Sequence, residues 1–443
     1  MWTIGELSIM PARAIQWDRF RHSPLLHSIA SLYGIQIAGY IAPLVTLPYL
    51  ARILSPKHWG LVAFAQSFGL YAALVVEFGF MLSATREVAR HRTDSRKLGE
   101  IFASVVGAKA ILAACCLVIA TVIVTFLPTF QGHRIMMYSG VLAGIAQGYN
   151  VAWFYQGIER MRVVSAIDIS SKALFSVSIF LFIHSPKDDW AVLCIQCFWY
   201  CAATVLLTLR VYREYPIARL TLRTAISAIK SSSSMFLYRG SLTLYTTANT
   251  LILGFLSTPF SVAYYSAAEK INNVLLNSGT PVSQAIYPKM NYLVTHDPNA
   301  AARIARTTLQ AAFILGWLLC LASILSAPLV VRILFGSGYE PVVPVLRILG
   351  LALPSVTCSI VLGVQCMLPL GMDKEFNLIT ILAGIFNVAA ALFLVPRYAH
   401  IGMAWSLVMT EFLVVLCQFS VLVRKAPHFF YGKTALPSEG EAL

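Results

Sequence analysis

A carboxylate followed directly by an ammonium, Glu269-Lys270, interrupts an apolar stretch at residues 263–287. With Glu269 as origin and 100° per residue, Ser266, Asn273, Asn277, Thr280 and Gln284 all fall within about 80° of it. A helix facing lipid would not carry such a stripe, because hydrocarbon satisfies no polar group. The stripe therefore faces protein or water. Two readings fit: hydrogen bonding between helices, or one wall of a hydrated cavity.

Smaller stripes occur elsewhere. Arg239, Thr243, Thr246 and Thr250 share a face of residues 236–257, with Asn249 beside them. Tyr33, Gln36, Tyr40 and Pro43 share a face of the first apolar run. For both, packing between helices and cavity lining fit equally. Pro43 and Pro48 each remove a backbone hydrogen bond and are expected to bend the second half of that run, as a static fit or a gate. Further charges within apolar runs are Lys109, Lys172, Arg347, Glu77, Asp168 and Glu411. A charge at mid-membrane depth costs about 2.5–3.5 kcal/mol, so the deep ones, Lys109, Glu269, Lys270 and Glu411, are functional candidates first.

Other chemistry is poorly supported. No Gly-x-x-x-x-Gly-Lys-Ser/Thr loop is present, which argues against ATP hydrolysis. Asp188-Asp189 is an isolated acidic pair in a short turn, with no Ser/His/Asp set near it in sequence. The nine cysteines all lie in apolar runs, and Cys194-x-x-Cys197 has no second pair, so neither disulfides nor a metal site is expected. No catalytic residue, metal or cofactor is expected, and the chain is not expected to be an enzyme.

The elements carrying these residues follow from composition. The 443 residues are 58% hydrophobic and only 12% charged, where a soluble domain has about 25% charged residues. An all-α polytopic membrane protein is the class that fits. Twelve spans are expected: 26–51, 60–82, 101–127, 135–157, 166–184, 191–209, 236–257, 263–287, 307–331, 345–370, 376–395 and 402–423. The longest connection divides them into a cytoplasmic segment 1–25, an N-lobe 26–209, a linker 210–235, a C-lobe 236–423 and a tail 424–443. The linker holds Arg210, Arg213, Arg219, Arg223 and Lys230, which suits an amphipathic segment on anionic lipid.

The net charge of +14 would suggest nucleic acid in a soluble protein. Here topology accounts for most of it. With both termini cytoplasmic, 22 of the 33 Lys and Arg fall in cytoplasmic segments. The outer turns hold Arg52, Lys57, Arg134, Lys187, Arg332 and Arg397, as the positive-inside rule requires. No nucleic-acid partner is expected. Leu54-Ser55-Pro56 before Val62-Ala63-Phe64 is echoed by Leu256-Ser257-Thr258 before Val262-Ala263-Tyr264, a faint sign of a parallel internal repeat.

The run Ile41–Pro56 (IAPLVTLPYLARILSP) with Trp59-Gly60-Leu61 resembles the start of bacterial polysaccharide transporters. These are the O-antigen-type lipid-linked oligosaccharide flippases of the multidrug/oligosaccharidyl-lipid/polysaccharide exporter superfamily. Glu77–Arg86, Tyr265–Ile271, Ile286–Pro288 and Leu334–Tyr339 extend the resemblance over about residues 28–423. Two departures stand out: Glu77 where the family often has Asp, and Ser55 where it commonly has Gly.

The resemblance implies two six-helix lobes around a central cavity in the bacterial inner membrane. The implied substrate is an undecaprenyl-diphosphate-linked oligosaccharide repeat unit for O-antigen, capsule or exopolysaccharide. Arg239 and Lys270, then Lys109 and Lys172, would offset the diphosphate charge. Asn273, Asn277, Thr243 and Thr246 would bond sugar hydroxyls, and Tyr33, Gln36 and Tyr40 would line the route. Glu269, then Glu411, would exchange H+ or Na+, although a structural ion pair at Glu269 fits equally. Partners would include anionic lipids at the basic loops and the pathway's polymerase and glycosyltransferases. Competing expectations are a multidrug or metabolite:cation antiporter of the same superfamily and, from another class, a membrane-embedded glycan polymerase or acyltransferase.

Overall fold

A computed structural model describes residues 24–126, 132–216, 221–277 and 279–427. Of these, the side chains of 24–44, 234, 237–247, 280, 281 and 285 lie outside the description. The described elements are helical throughout. They are α1 (Pro24–Glu77), α2 (Phe80–Arg90), α3 (Ser95–Phe126), α4 (Arg134–Gly148), α5 (Ala152–Gly157), α6 (Met161–Phe182) and α7 (Asp189–Glu214). Then come α8 (Leu222–Leu256), α9 (Pro259–Asn277), α10 (Thr280–His296), α11 (Pro298–Leu334), α12 (Val342–Gly350), α13 (Leu353–Ser359) and α14 (Asp373–Lys425).

Seven stretches among the described residues are long and apolar enough to cross a membrane. Others are folded or broken versions of the same thing. α1 has 54 residues and α14 has 53, each about 80 Å at 1.5 Å per residue, far beyond a ~30 Å hydrocarbon core. Each therefore contains two crossings. α1 is interrupted at Ser55 (φ 61°, ψ 163°) and α14 at Ala399 (φ 49°, ψ −126°). The halves of α14 run antiparallel: Gly402 abuts the Leu394 carbonyl, Asn387 faces Thr410 and Glu375 pairs with Lys425. Counted this way, the described residues hold the twelve expected crossings. Ser55 occupies a backbone region that glycine enters freely and other residues enter at a cost.

Two expected spans need correction. Span 135–157 is split after Gly148, and Asn150 Oδ1 accepts from the Ala152 N–H at 2.7 Å to start α5. Span 263–287 is not continuous: α9 ends at Asn277 and α10 begins with Gly279 before it and Pro281 in its first turn. Proline has no N–H to extend a helix across that point. From Leu222 the expected linker 210–235 forms the first turns of the 35-residue α8, which runs on into the seventh crossing. The only non-helical φ/ψ in α1 is at Ser55, so Pro43 and Pro48 sit within continuous helix.

Small residues set the packing. Gly140, Gly144 and Gly148 of α4 abut Ala65, Gly69 and Ala73 of α1, a constant offset that makes the two helices parallel. Within one end of the bundle, Phe80, Phe102, Trp153 and Phe154 form a core that also buries Ala225 of α8. There Phe78 stacks on Phe236 at 4.3 Å and Ser83 Oγ meets Ser232 Oγ at 2.7 Å. The same end carries Arg92–Glu159 (3.0 Å) and Arg160–Glu214 (2.6 Å) ion pairs.

Candidate functional site

The opposite end of the bundle also joins the two halves of the chain. Gly60 lies so close to α9 that a Cβ there would sit 1.8 Å from the Pro259 carbonyl oxygen. Phe64 closes on Gly254 and meets Phe255 edge-on at 5.4 Å. Arg52 donates to the Ile333 carbonyl, and Gly338 approaches Pro56. The two echoing sequence segments, at Ser55 and Ser257, thus meet across this seam. Beside it, His58 Nδ1 and Asp189 Oδ2 pair at 2.6 Å. The Pro186–Asp188 turn is capped by Ser185 Oγ, while the Asp188 carboxylate accepts from the His184 and Ser185 N–H groups. Those backbone donors hold the Asp188 carboxyl below its ordinary value.

Glu269 and Lys270 lie just inside the seam and point different ways. Lys270 Nζ sits 4.7 Å from the centroid of the Trp59 ring, a cation–π contact between the two halves. Glu269 Oε2 accepts from Thr250 Oγ1 of α8 at 2.9 Å. Tyr265 and Asn272, at 0% and 2% exposure, lie one turn to either side of Glu269 on α9, and Asn249 of α8 is 1% exposed. The Tyr265 hydroxyl approaches both Asn249 and Glu269.

Sequence reasoning missed Tyr265 and Asn272 as site residues and left Asn249 and Thr250 at the margin. At 100° per residue Tyr265 and Asn272 fall at about −40° and −60° from Glu269, on the side away from the polar stripe. That stripe is less buried: Asn273 and Gln284 are exposed, and Asn277 Nδ2 bonds back to the Asn273 carbonyl at 2.7 Å. Ser266 is buried but returns its hydroxyl to the Ala263 carbonyl. Glu269 thus stands on the border between an exposed polar face and a buried polar cluster.

Other singled-out residues lie apart from this cluster. Lys109 is 1% exposed, and its ammonium donates at 2.8 Å to the carbonyls of both Gly148 and Asn150, bridging the break between α4 and α5. Lys172 pairs with Asp168 one turn away at 2.7 Å. Glu77 caps the break after α1, accepting from the Gly79 and Met81 N–H groups. Glu411 and Pro48 are half-buried. The side chains of Tyr33, Gln36, Tyr40, Pro43, Arg239, Thr243 and Thr246 lie outside the described residues. Among the described residues no group of three His, Cys, Asp or Glu side chains could hold a metal ion, and the nine cysteines are free.

A seam joining two halves beside buried charges, in a bundle of twelve crossings, defines the class: a multi-pass helical membrane protein. Residues 25–294 match the family described as "Polysaccharide biosynthesis protein". The chain belongs to this family. It is 30% identical over 392 residues to a protein of Escherichia coli (strain K12) named "Putative O-antigen transporter", covering 88% of this chain and 94% of that one. Its fold is shared with a structure of the lipid II flippase MurJ in an inward closed conformation, with a TM-score of 0.63, 13% identity and coverage of 90% and 87%. An inward-facing multidrug resistance MATE family transporter is also similar, with a TM-score of 0.61, 12% identity and coverage of 87% and 99%.

Proposed function

We propose that this chain is a flippase. It carries an undecaprenyl-diphosphate-linked oligosaccharide repeat unit across the bacterial inner membrane, for O-antigen, capsule or exopolysaccharide synthesis. The observation that carries the reading is the relation, over nearly the full length of both chains, to a protein named for O-antigen transport. Physics supplies the need: a diphosphate and several sugars do not cross a ~30 Å hydrocarbon layer unaided. A polar route between two six-helix lobes carries the headgroup while the lipid tail trails outside.

In this reading the Ser55 end is periplasmic, both termini are cytoplasmic, and the seam of Gly60, Pro259 and Trp59 is the closed outer gate. Lys270 is the cation that meets the diphosphate, with the amides of exposed Asn273 and half-buried Asn277 on the adjoining face for sugar hydroxyls. Glu269 exchanges the coupling ion, H+ or Na+. The basic α7–α8 connection rests on anionic lipid.

Reconstitution into vesicles with labelled lipid-linked oligosaccharide tests the reading. Leaflet exchange above that of empty vesicles is expected, and Glu269→Gln should abolish ion-driven exchange while the protein still inserts and folds. Exchange no faster than in empty vesicles, with and without ion gradients, would refute the flippase reading. Normal ion-driven exchange by Glu269→Gln would remove that residue from coupling.

A further inference from the structure

Tyr292 and His296 stack face to face on α10, with ring centroids 4.1 Å apart and an interplanar angle of 11°. Both are exposed, Tyr292 by 60%. The His296 ring is held in place, because its Nδ1 lies 2.9 Å from the Tyr292 carbonyl oxygen and 2.8 Å from Thr295 Oγ1. With Nδ1 engaged, Nε2 remains to bond a ligand. Each ring covers one face of the other and leaves one face open.

Their surroundings are polar. With Tyr292 as origin and 100° per residue, Gln284, Lys289, Asn291, Thr295 and His296 fall within about 100° of it. All five are exposed. Met290, with Ile286, Leu293 and Val294 beside it, packs the opposite face into the core. Tyrosines of the membrane interface commonly sit against lipid, but hydrocarbon would satisfy none of these polar neighbours. This face of α10 therefore meets water.

Its position gives the face an order. From Pro259, the first residue of α9, to Lys289 of α10 the chain advances 30 residues. Taken end to end these span about 45 Å, the depth of a bilayer with its headgroups. Lys289 then stands at the level of the lipid phosphates, and Tyr292 and His296 lie about 4.5 and 10 Å beyond it. A lipid-linked oligosaccharide in that leaflet has the same order: hydrocarbon, diphosphate, sugars.

We propose that Lys289, Tyr292 and His296 form a loading site for the sugar-diphosphate headgroup at the cytoplasmic mouth of the protein. Lys289 meets the diphosphate. The stacked pair receives the first pyranose, whose C–H-bearing face packs on the electron-rich face of an aromatic ring, and His296 Nε2 bonds a hydroxyl. Stacking orders the two rings beforehand, so little side-chain freedom is lost on binding. The site rests on the flippase reading and says where the headgroup is first held.

Equilibrium binding tests it apart from transport. Purified full-length protein in phosphatidylcholine nanodiscs is titrated with two farnesyl diphosphates of equal charge, one esterified with methyl and one with N-acetylglucosamine. Binding is read above that of empty nanodiscs. Wild type should prefer the sugar-bearing probe by about two- to tenfold. Tyr292→Ala and His296→Ala should lose that preference while binding the methyl probe as wild type does, and Tyr292→Phe should keep it. Lys289→Gln should weaken both probes by the same factor, about two- to fivefold. A wild type that binds the probes equally overturns the proposal, as does a preference that survives both Tyr292→Ala and His296→Ala, or undiminished binding of both probes by Lys289→Gln. Equal binding of the probes by a wild type that still exchanges labelled lipid-linked oligosaccharide between leaflets overturns the site and leaves the flippase reading standing. A sugar preference that Tyr292→Ala abolishes, in a wild type that exchanges nothing, supports the site and refutes the flippase reading.

Discussion

Lys109 and Lys270 are both lysines within apolar helices, and their surroundings assign them different work. Two carbonyls accept from the Lys109 ammonium at the break between α4 and α5, and almost none of it reaches the surface. Lys270 lies over the face of the Trp59 indole, a partner that an anion could replace. Lys109→Met should therefore cost about 1–3 kcal/mol of stability, since it strands the buried Gly148 carbonyl and a partly buried one at Asn150. Thermal unfolding in detergent would show this directly. A Lys109→Met protein of normal stability that fails only in flipping would instead make this lysine a substrate contact.

Helices in this protein are positioned by what they lack. Gly144 approaches Gly69 so closely that a Cβ would stand 1.9 Å from its carbonyl oxygen. Backbone cannot retreat without separating α1 from α4 along their whole contact. Gly144→Ala should lower stability by about 1–3 kcal/mol, the range for overpacked cores, read as a lower unfolding temperature. The Pro186–Asp188 turn makes a different prediction. Its Asp188 carboxyl is held low by the His184 and Ser185 N–H groups. A depressed carboxyl gives stabilisation that is complete above its ordinary value of 3.8 and lost as pH falls through the lowered one. Protection of the His184 and Ser185 amides from hydrogen exchange, taken relative to the intrinsic rate at each pH, should thus hold across the neutral range and fall only in strong acid. In Asp188→Ala that protection should be lost at every pH.

Across the whole molecule the two halves are locked at one end by a contact that admits no side chain. Gly60 faces the Pro259 carbonyl at that lock, and Lys270 over Trp59 lies just behind it. Gly60→Ala should force the seam apart and favour the state open at the Ser55 end. Spin labels on keto amino acids at positions 57 and 340, both exposed and on opposite halves, would report a longer distance in this variant than in wild type. An unchanged distance would show that the seam yields locally and does not govern the opening.

Much of this was legible in the sequence because the bilayer enforces it. Hydrocarbon satisfies no backbone group, so apolar runs of span length become helices, and the twelve crossings follow. Breaks were less legible. The Gly279–Pro281 interruption could be read from its residue types, whereas the split after Gly148 needs Lys109 from another helix to hold it. The cost of placing Glu269 was also visible, since a carboxylate in an apolar helix is costly wherever it points. The sequence stripe drew attention to Asn273 and Asn277, on the exposed side of Glu269. Only tertiary structure decided that Tyr265, Asn272 and Asn249 gather on its other side, because helical periodicity orders residues around one axis. It carries no information about which sector a second helix will cover, and that covering turns isolated polar residues into a site.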